Sequence, residues 1–288
     1  MSSLLSKVRY RFLLLAGIMP YVLGAAAAQY TSGAISVTIF VIGLMGVLGA
    51  LLGVETYNEF FETRTGSDMV FESEPPPAKP VSTFVLGSFG FAVFVTTGIY
   101  LASLAGALIL VIAAYGLQAA IFYVGPPIKW AYRGVGESVI ALAYGPFMTI
   151  GSYYIQTSRL DTQPILLSLV PAFLVFGVVL SNEIPQYHGD SLVGKMNLVV
   201  RMGQRRAARV HQLSIILAYA SLLVAFFINA LPPLALISLA TLPAGIWAIR
   251  LSAKYFGSPA EFMKSIQGTV VVYTVMLMLI SFALVVSR

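Results

Sequence analysis

Between Arg11 and Glu55 the chain carries no charged side chain. That run is long enough to cross a membrane twice, since a spanning helix needs about 20 mostly apolar residues. Comparable runs recur to the C-terminus between short polar breaks, and hydropathy windows predict spans at roughly 12–29, 35–55, 82–101, 103–123, 137–156, 163–182, 209–229, 231–250 and 267–286. The expectation is an all-α polytopic membrane protein, a nine-transmembrane-helix bundle forming a single domain over 1–288. The third and fourth windows are nearly continuous, and only "NALPPL" divides the seventh from the eighth. Composition supports this reading: 58% of residues are hydrophobic and 10% charged, and the mean hydropathy is +0.88, far above a soluble domain. The absence of cysteine excludes disulfides, thiolate metal sites and thiol nucleophiles. The N-terminus has the charge pattern of a signal peptide, but no cleavage site followed by a soluble domain appears, so it reads as the first span.

An odd number of spans sorts the connections into two sides. Lys7, Arg9, Arg11, Arg64, Lys79, Lys129, Arg133, Lys195, Arg201, Arg205, Arg206, Arg209, Arg250, Lys254 and Lys264 fall on one side, with only Arg159 and Arg288 opposite. The positive-inside rule makes the charged side cytoplasmic. Nearly all acidic residues share that side, Glu137 and Glu183 among them, and Asp161 alone lies opposite. Chemistry is therefore expected at a cytoplasmic-face cavity. The net charge of +6 is explained by this topology and by attraction to anionic membrane lipid, so no nucleic-acid partner is expected. "ESEPPPAKPVS" reads as a Pro-rich connector.

Two polar stretches stand out, "NEFFETRTGSD" (58–68) and "NEIPQYHGD" (182–190), each opening with Asn-Glu, ending with Asp and following an even-numbered span. In the first, Asn58 and Glu62 share a helix face at i, i+4. Gly66 then breaks the helix and lets Asp68 return. In the second, Asn182, Gln186 and Asp190 recur at i, i+4, i+8 with Glu183 adjacent, and Pro185 and Gly189 make the helix end irregular. Two clusters of oxygen ligands suit Mg²⁺, a hard cation that takes one or two carboxylates plus phosphate oxygens. Carboxylates at a membrane edge are costly to desolvate, which favours a functional reading. Glu72, Glu74 and Glu261 read instead as solvated loop charges. Between the motifs, "YVGPPIKWAYRGVGE" (123–137) presents Lys129 and Arg133 on the same side. They are either topology signals or the cations that a diphosphate beside a metal requires.

Together these stretches resemble the UbiA superfamily of intramembrane prenyltransferases over nearly the whole chain. The first motif matches the family's N-D-x-x-D…G-x-D at Asn58, Glu59, Glu62, Gly66 and Asp68, with Glu for Asp twice. "NEIPQYHGDSLVGKMNLVVRMG" matches the second at Asn182, Asp190, Gly194, Lys195, Arg201 and Gly203, with Gln186 where the family usually has a carboxylate. "YVGPPIKWAYRGVGESVIALAYGP" is similar to the branch that prenylates dihydroxynaphthoate for menaquinone.

The resemblance implies transfer of a polyprenyl group from a diphosphate, such as geranylgeranyl diphosphate, to an aromatic or lipid acceptor, with release of pyrophosphate. It implies Mg²⁺ held by Asn58, Glu62, Asp68, Asn182, Glu183, Gln186 and Asp190, and diphosphate contacts from Arg64, Lys129, Arg133 and Lys195. Catalytic roles fall to Asn58, Glu62, Asp68, Asp190, Lys129 and Tyr123. Tyr123, Tyr144, Tyr153 and Phe60 are candidates for the π face beside an allylic cation. Alternative acceptors are a glyceryl phosphate lipid, hydroxybenzoate, heme or a chlorophyllide. A secondary transporter is the competing class, but it places ionisable groups near the bilayer midplane, whereas these lie at one end.

Overall fold

The computed structural model describes residues 2–65 and 78–288. Among them every regular element is helical: α1 (Ser2–Ser32), α2 (Val37–Thr65), α3 (Val81–Ala105), α4 (Leu108–Phe122), α5 (Gly136–Leu142), α6 (Met148–Thr157), α7 (Thr162–Glu183), α8 (Tyr187–Leu192), α9 (Leu198–Met202), α10 (Gln204–Phe227), α11 (Leu242–Tyr255) and α12 (Pro259–Val286). Six helical stretches among the described residues are long and apolar enough to cross a membrane: Val37–Arg64, Val81–Ala105, Thr162–Leu192, Gln204–Phe227, Pro233–Tyr255 and Pro259–Val286. Leu108–Phe122 is apolar but shorter.

Several helices run past their apolar windows toward the charged side. α2 continues to Thr65, α10 begins at Gln204 and α12 at Pro259. Backbone hydrogen bonding does not stop where hydropathy does, so the polar motif of α2 stays helical. Breaks occur where the sequence forces them. Gly106 adopts φ 120 between α3 and α4, which side chains disfavour. Pro146 lies in a widened π turn, Ala143–Phe147, that joins α5 to α6 without a break in the chain of helical residues; the wider turn accommodates the missing N–H and the ring.

The interface of α2 with α3 is made of glycines. A Cβ at Gly49 would come 2.7 Å from the Gly90 carbonyl oxygen, and one at Gly90 would come 2.5 Å from that of Gly49. Close backbone approach through small residues is how helices associate where lipid removes the hydrophobic driving force. The opposite face of α2 is an exposed apolar stripe, Val37, Val41, Met45, Leu48 and Leu52, which suits lipid and not water. Deeper in the bundle, Leu167, Val170, Leu174 and Val178 of α7 pack in the main core with Ile215, Leu222, Tyr273 and Leu277.

Buried polar groups tie the helices together. His211 of α10 contacts Ser252 Oγ of α11 through Nδ1 at 3.0 Å and Thr269 Oγ1 of α12 through Nε2 at 2.9 Å, leaving both ring nitrogens partnered. At the end of the bundle away from the acidic motifs, Tyr153 Oη meets Thr31 Oγ1 at 3.1 Å and donates to Asp161. There Gln156 exchanges two hydrogen bonds with the Ser36 backbone, at 2.9 and 3.2 Å. Gln163 Nε2 donates to the Ala230 carbonyl at 2.7 Å.

Candidate functional site

The first motif lies on the last turns of α2. Asn58 and Glu62 are both buried, one helical turn apart. Asn58 Oδ1 receives no hydrogen bond, an expensive condition for a buried acceptor. Glu55, half-buried, precedes them on the same face. Asp68 and Gly66 lie outside the described residues. The outer face of this helix end is clamped: Glu59 pairs with Lys79 at 3.3 Å, and Arg64 donates to the carbonyls of Phe60 and Lys79 at 2.7 and 2.8 Å. The Arg64 guanidinium also covers the Phe60 ring, 3.6 Å from its centre. Two of its nitrogens are therefore engaged with backbone rather than directed at a ligand.

The second motif is spread over three elements. α7 ends at Glu183, a 3₁₀ turn covers Ile184–Gln186, and α8 carries Asp190. Pro185 cannot continue the α-helical ladder, which accounts for the break. Asn182 is exposed, Glu183 buried and Gln186 half-buried. Asp190 is fully buried: its Oδ2 accepts from Asn197 Nδ2 at 2.7 Å, and its Oδ1 lies 3.5 Å from Lys195 Nζ. Gly194, at φ 71, allows the chain to turn back, and the Lys195 N–H closes on the Asp190 carbonyl at 2.8 Å.

Asn197 and Glu137 complete this cluster. Asn197 caps α9, its Oδ1 accepting from Val200 N at 2.8 Å, while Glu137 Oε1 accepts from Leu198 N at 2.6 Å. Two N–H groups that α9 leaves unpaired in its first turn are thus satisfied, one from within the motif and one from α5. Glu137 is 1% exposed. Its carboxyl is within hydrogen-bonding reach of Glu183, which also feels Lys195 and Asp190. Sequence reading assigned no role to Asn197. The available signal was an Asn directly before "LVVRM", which is an N-cap pattern. Glu137 closed the 123–137 stretch without an assigned partner.

The segment between the motifs folds tightly. Lys129 takes a left-handed conformation, φ 54, and its Nζ sits 5.4 Å from the centre of the Tyr132 ring. Arg133 is exposed and its Nε donates to the Ile128 carbonyl. Ala131 N donates to the Tyr123 carbonyl at 2.9 Å, closing the loop at its start. Gly125 faces Phe61 of α2, and a Cβ there would lie 3.6 Å from the Phe61 ring, so this loop adjoins the first motif. A Cβ at Gly134 would come 2.5 Å from Arg201 Cδ, which ties the loop to α9 as well. Of the aromatic candidates, Tyr153 is excluded: its hydroxyl is bound to Thr31 and Asp161 at the opposite end. Phe60 is covered by Arg64 and packs on Phe61 and Phe84. Tyr144 lies in the π turn, close enough to Glu55 to interact electrostatically.

Among the described residues no three carboxylate or imidazole side chains converge into a ready-made cage. Mg²⁺ does not require one, because it retains waters and shares phosphate oxygens. Asn58 Oδ1, Glu137 Oε2 and Glu183 Oε2 are buried oxygens to which no donor is directed. An oxygen-only set of this kind fits a hard cation. A cavity of about 470 Å³ is lined by Tyr187 and Gly203 of the second motif with Gln204, Arg205, Arg206, Arg209 and Phe256, among others, and by none of the carboxylates of either motif.

These features define an all-helical integral membrane protein with buried carboxylates gathered beside basic loops. The UbiA prenyltransferase family model matches residues 17–267, and the chain belongs to that family. It is 24% identical over 247 residues to a 1,4-dihydroxy-2-naphthoate octaprenyltransferase of Bacillus subtilis, covering 82% of this chain and 78% of the relative. It is 25% identical over 261 residues to a 2-carboxy-1,4-naphthoquinone phytyltransferase of Synechocystis, covering 85% and 80%. Among solved structures, a UbiA homolog from Aeropyrum pernix K1 superposes with a TM-score of 0.69 at 14% identity, over 92% of this chain and 97% of that one. A UbiA homolog from Archaeoglobus fulgidus bound to DMAPP and Mg²⁺ gives 0.65 at 14% identity, over 96% and 98%. At that identity the two structures establish the fold alone.

Proposed function

We propose that this prenyltransferase moves a polyprenyl group from its diphosphate to an aromatic acceptor of the dihydroxynaphthoate type, as a step in quinone biosynthesis, with pyrophosphate as the other product. The reading extends to a single domain of nine transmembrane helices whose site opens on the cytoplasmic side of the cell membrane. The observation that carries the chemistry is the set of buried oxygens at Asn58, Glu137 and Glu183 that receive no hydrogen bond. The acceptor rests on the names of the naphthoate prenyltransferase relatives.

Breaking an allylic C–O bond requires the departing diphosphate to be stabilised in a site that excludes water. Asn58, Glu62, Asp68, Asp190, Glu183, Asn182 and Gln186 would hold Mg²⁺, which when bound supplies positive charge against the diphosphate oxygens. Lys129 and Lys195 add cationic charge on the same side, and Asn197 holds the Asp190 carboxylate in place. Arg64 and Arg133 contribute through the loop ends they fasten. The apolar helices receive the polyprenyl tail.

The test is incubation of the purified protein with labelled geranylgeranyl diphosphate and a panel of acceptors: dihydroxynaphthoate, hydroxybenzoate, glyceryl phosphate lipid, heme and chlorophyllide. Prenylated dihydroxynaphthoate is the expected product. Transfer to a different acceptor alone would overturn the naphthoate assignment, and no pyrophosphate release with any of them would overturn prenyl transfer.

A further inference from the structure

Arg205, Arg206 and Arg209 follow one another at i, i+1 and i+4 on the first turns of α10, and all three are exposed. Between them Ala207 and Ala208 are buried, so this end of the helix has one face against the bundle and one basic face. The basic face lines the cavity of about 470 Å³, whose other walls include Tyr187 of α8, Met202 of α9 and Phe256 just beyond α11. Those three side chains pack on the buried cluster that contains Ala207, Ala208 and Phe262. Gln204 Nε2 ties the start of α10 to the Ile184 carbonyl at 3.0 Å. The walls are therefore held by apolar packing and by Gln204, which leaves the arginines unused by the fold.

Membrane topology asks only that cations lie on one side; it does not gather three of them around one concavity. Like charges one helical turn apart repel. Among the described residues the ion pairs are Glu59 with Lys79, Asp190 with Lys195 and Glu261 with Lys264, and none includes Arg205, Arg206 or Arg209. The helix itself adds charge of the same sign: α10 begins after Gly203, φ 82, with no side-chain cap, so the first N–H groups of a 24-residue helix stand open beside the arginines. No carboxylate of either motif lines the cavity. Guanidinium forks match the oxygens of a phosphate group in spacing and charge.

We propose that this cavity binds a phosphate group, which Arg205, Arg206 and Arg209 hold at the start of α10. An anionic phospholipid headgroup and a free pyrophosphate ion share that chemistry. The apolar walls at Met202 and Phe256 suit the lipid, because they cover the carbon skeleton attached to its phosphate. The inference does not depend on the prenyl-transfer reading.

The test is native mass spectrometry of the full chain in detergent, titrated separately with phosphatidylglycerol, with phosphatidylcholine and with inorganic pyrophosphate. Phosphatidylglycerol should bind more tightly than phosphatidylcholine, whose choline offsets the phosphate charge. The pair Arg205→Gln and Arg209→Gln should weaken phosphatidylglycerol binding by about 20-fold, at roughly fivefold per cation. The pair Arg250→Gln and Lys254→Gln removes the same charge from residues that do not line the cavity and should leave that affinity nearly unchanged. If the glutamine pair fails to fold, Arg206→Gln alone carries the test, with a loss of about fivefold. A selective loss of pyrophosphate binding, with phosphatidylglycerol unaffected, keeps the phosphate site and makes its ligand the soluble ion. Equal losses from the cavity pair and the control pair would reduce the arginines to general surface charge and overturn the site, as would unchanged binding of both anions in the cavity variants.

Discussion

Asn58 and Glu62 sit on one uninterrupted helix, whereas Glu183, Gln186 and Asp190 are distributed over a helix end, a 3₁₀ turn and a separate short helix. The first motif is positioned by helix packing: its geometry follows from the glycine contact of α2 with α3 and from the clamp of Arg64 and Lys79 on its outer face. The second is positioned by side-chain hydrogen bonds, with Asn197 holding Asp190 and Glu137 holding the start of α9. Damage to the first should therefore come from volume changes along the helix. Damage to the second should come from loss of single polar atoms.

Substitutions can break this contrast, beginning with those expected to act on both motifs equally. Asp190→Ala and Asp68→Ala should each abolish pyrophosphate release while leaving the protein folded in detergent, and a chelator should stop the reaction of the unsubstituted protein. Normal turnover in either variant, or metal-independent turnover, would remove the assigned role.

Asn197→Ala comes next. It deletes a helix cap, at a cost of about 1 kcal/mol, and takes a hydrogen bond from a buried carboxylate, at about 1–3 kcal/mol. Turnover should fall about 10- to 100-fold, with a lower melting temperature. An activity equal to the unsubstituted protein would show that Asp190 needs no holder.

Gly90→Val probes the first motif through packing. The added side chain begins 2.5 Å from the Gly49 carbonyl oxygen, so α2 and α3 must separate. The melting temperature and the turnover should fall together. A variant that melts normally would mean that the helices do not touch as closely as the glycines indicate.

Arg64→Ala should have the smallest effect, about two- to threefold in turnover, because its contacts are exposed and largely to backbone. A loss as large as that of Asp190→Ala would instead place Arg64 on the diphosphate.

Much of the helical layout was legible because membrane spans announce themselves through uninterrupted apolar length, as between Arg11 and Glu55. The break at Pro185 was legible for a local reason, the backbone chemistry of proline, whereas the break at Gly106 falls inside the fourth predicted span. Helix ends were less so: α2 and α10 extend into polar sequence because hydrogen bonding continues beyond the apolar window. What the sequence concealed was contact across the chain. Glu137 meets Glu183 and the start of α9 only through folding, and no local pattern around Glu137 encodes that partner. Tyr153, attractive as an aromatic in a span, turns its hydroxyl to the wrong end. One sequence supplies aromatics everywhere in such a bundle and does not say which way each points.

The ties at the far end give the bundle a mechanical character. Tyr153 with Thr31 and Asp161, Gln156 with Ser36, and Gln163 with Ala230 join α1, α6, α7 and the chain after α10 at the end remote from the acidic motifs. Rods riveted at one end keep their spacing there whatever happens at the other, so the packing of the remote end does not depend on the polar contacts that hold Glu137, Asp190 and Asn197.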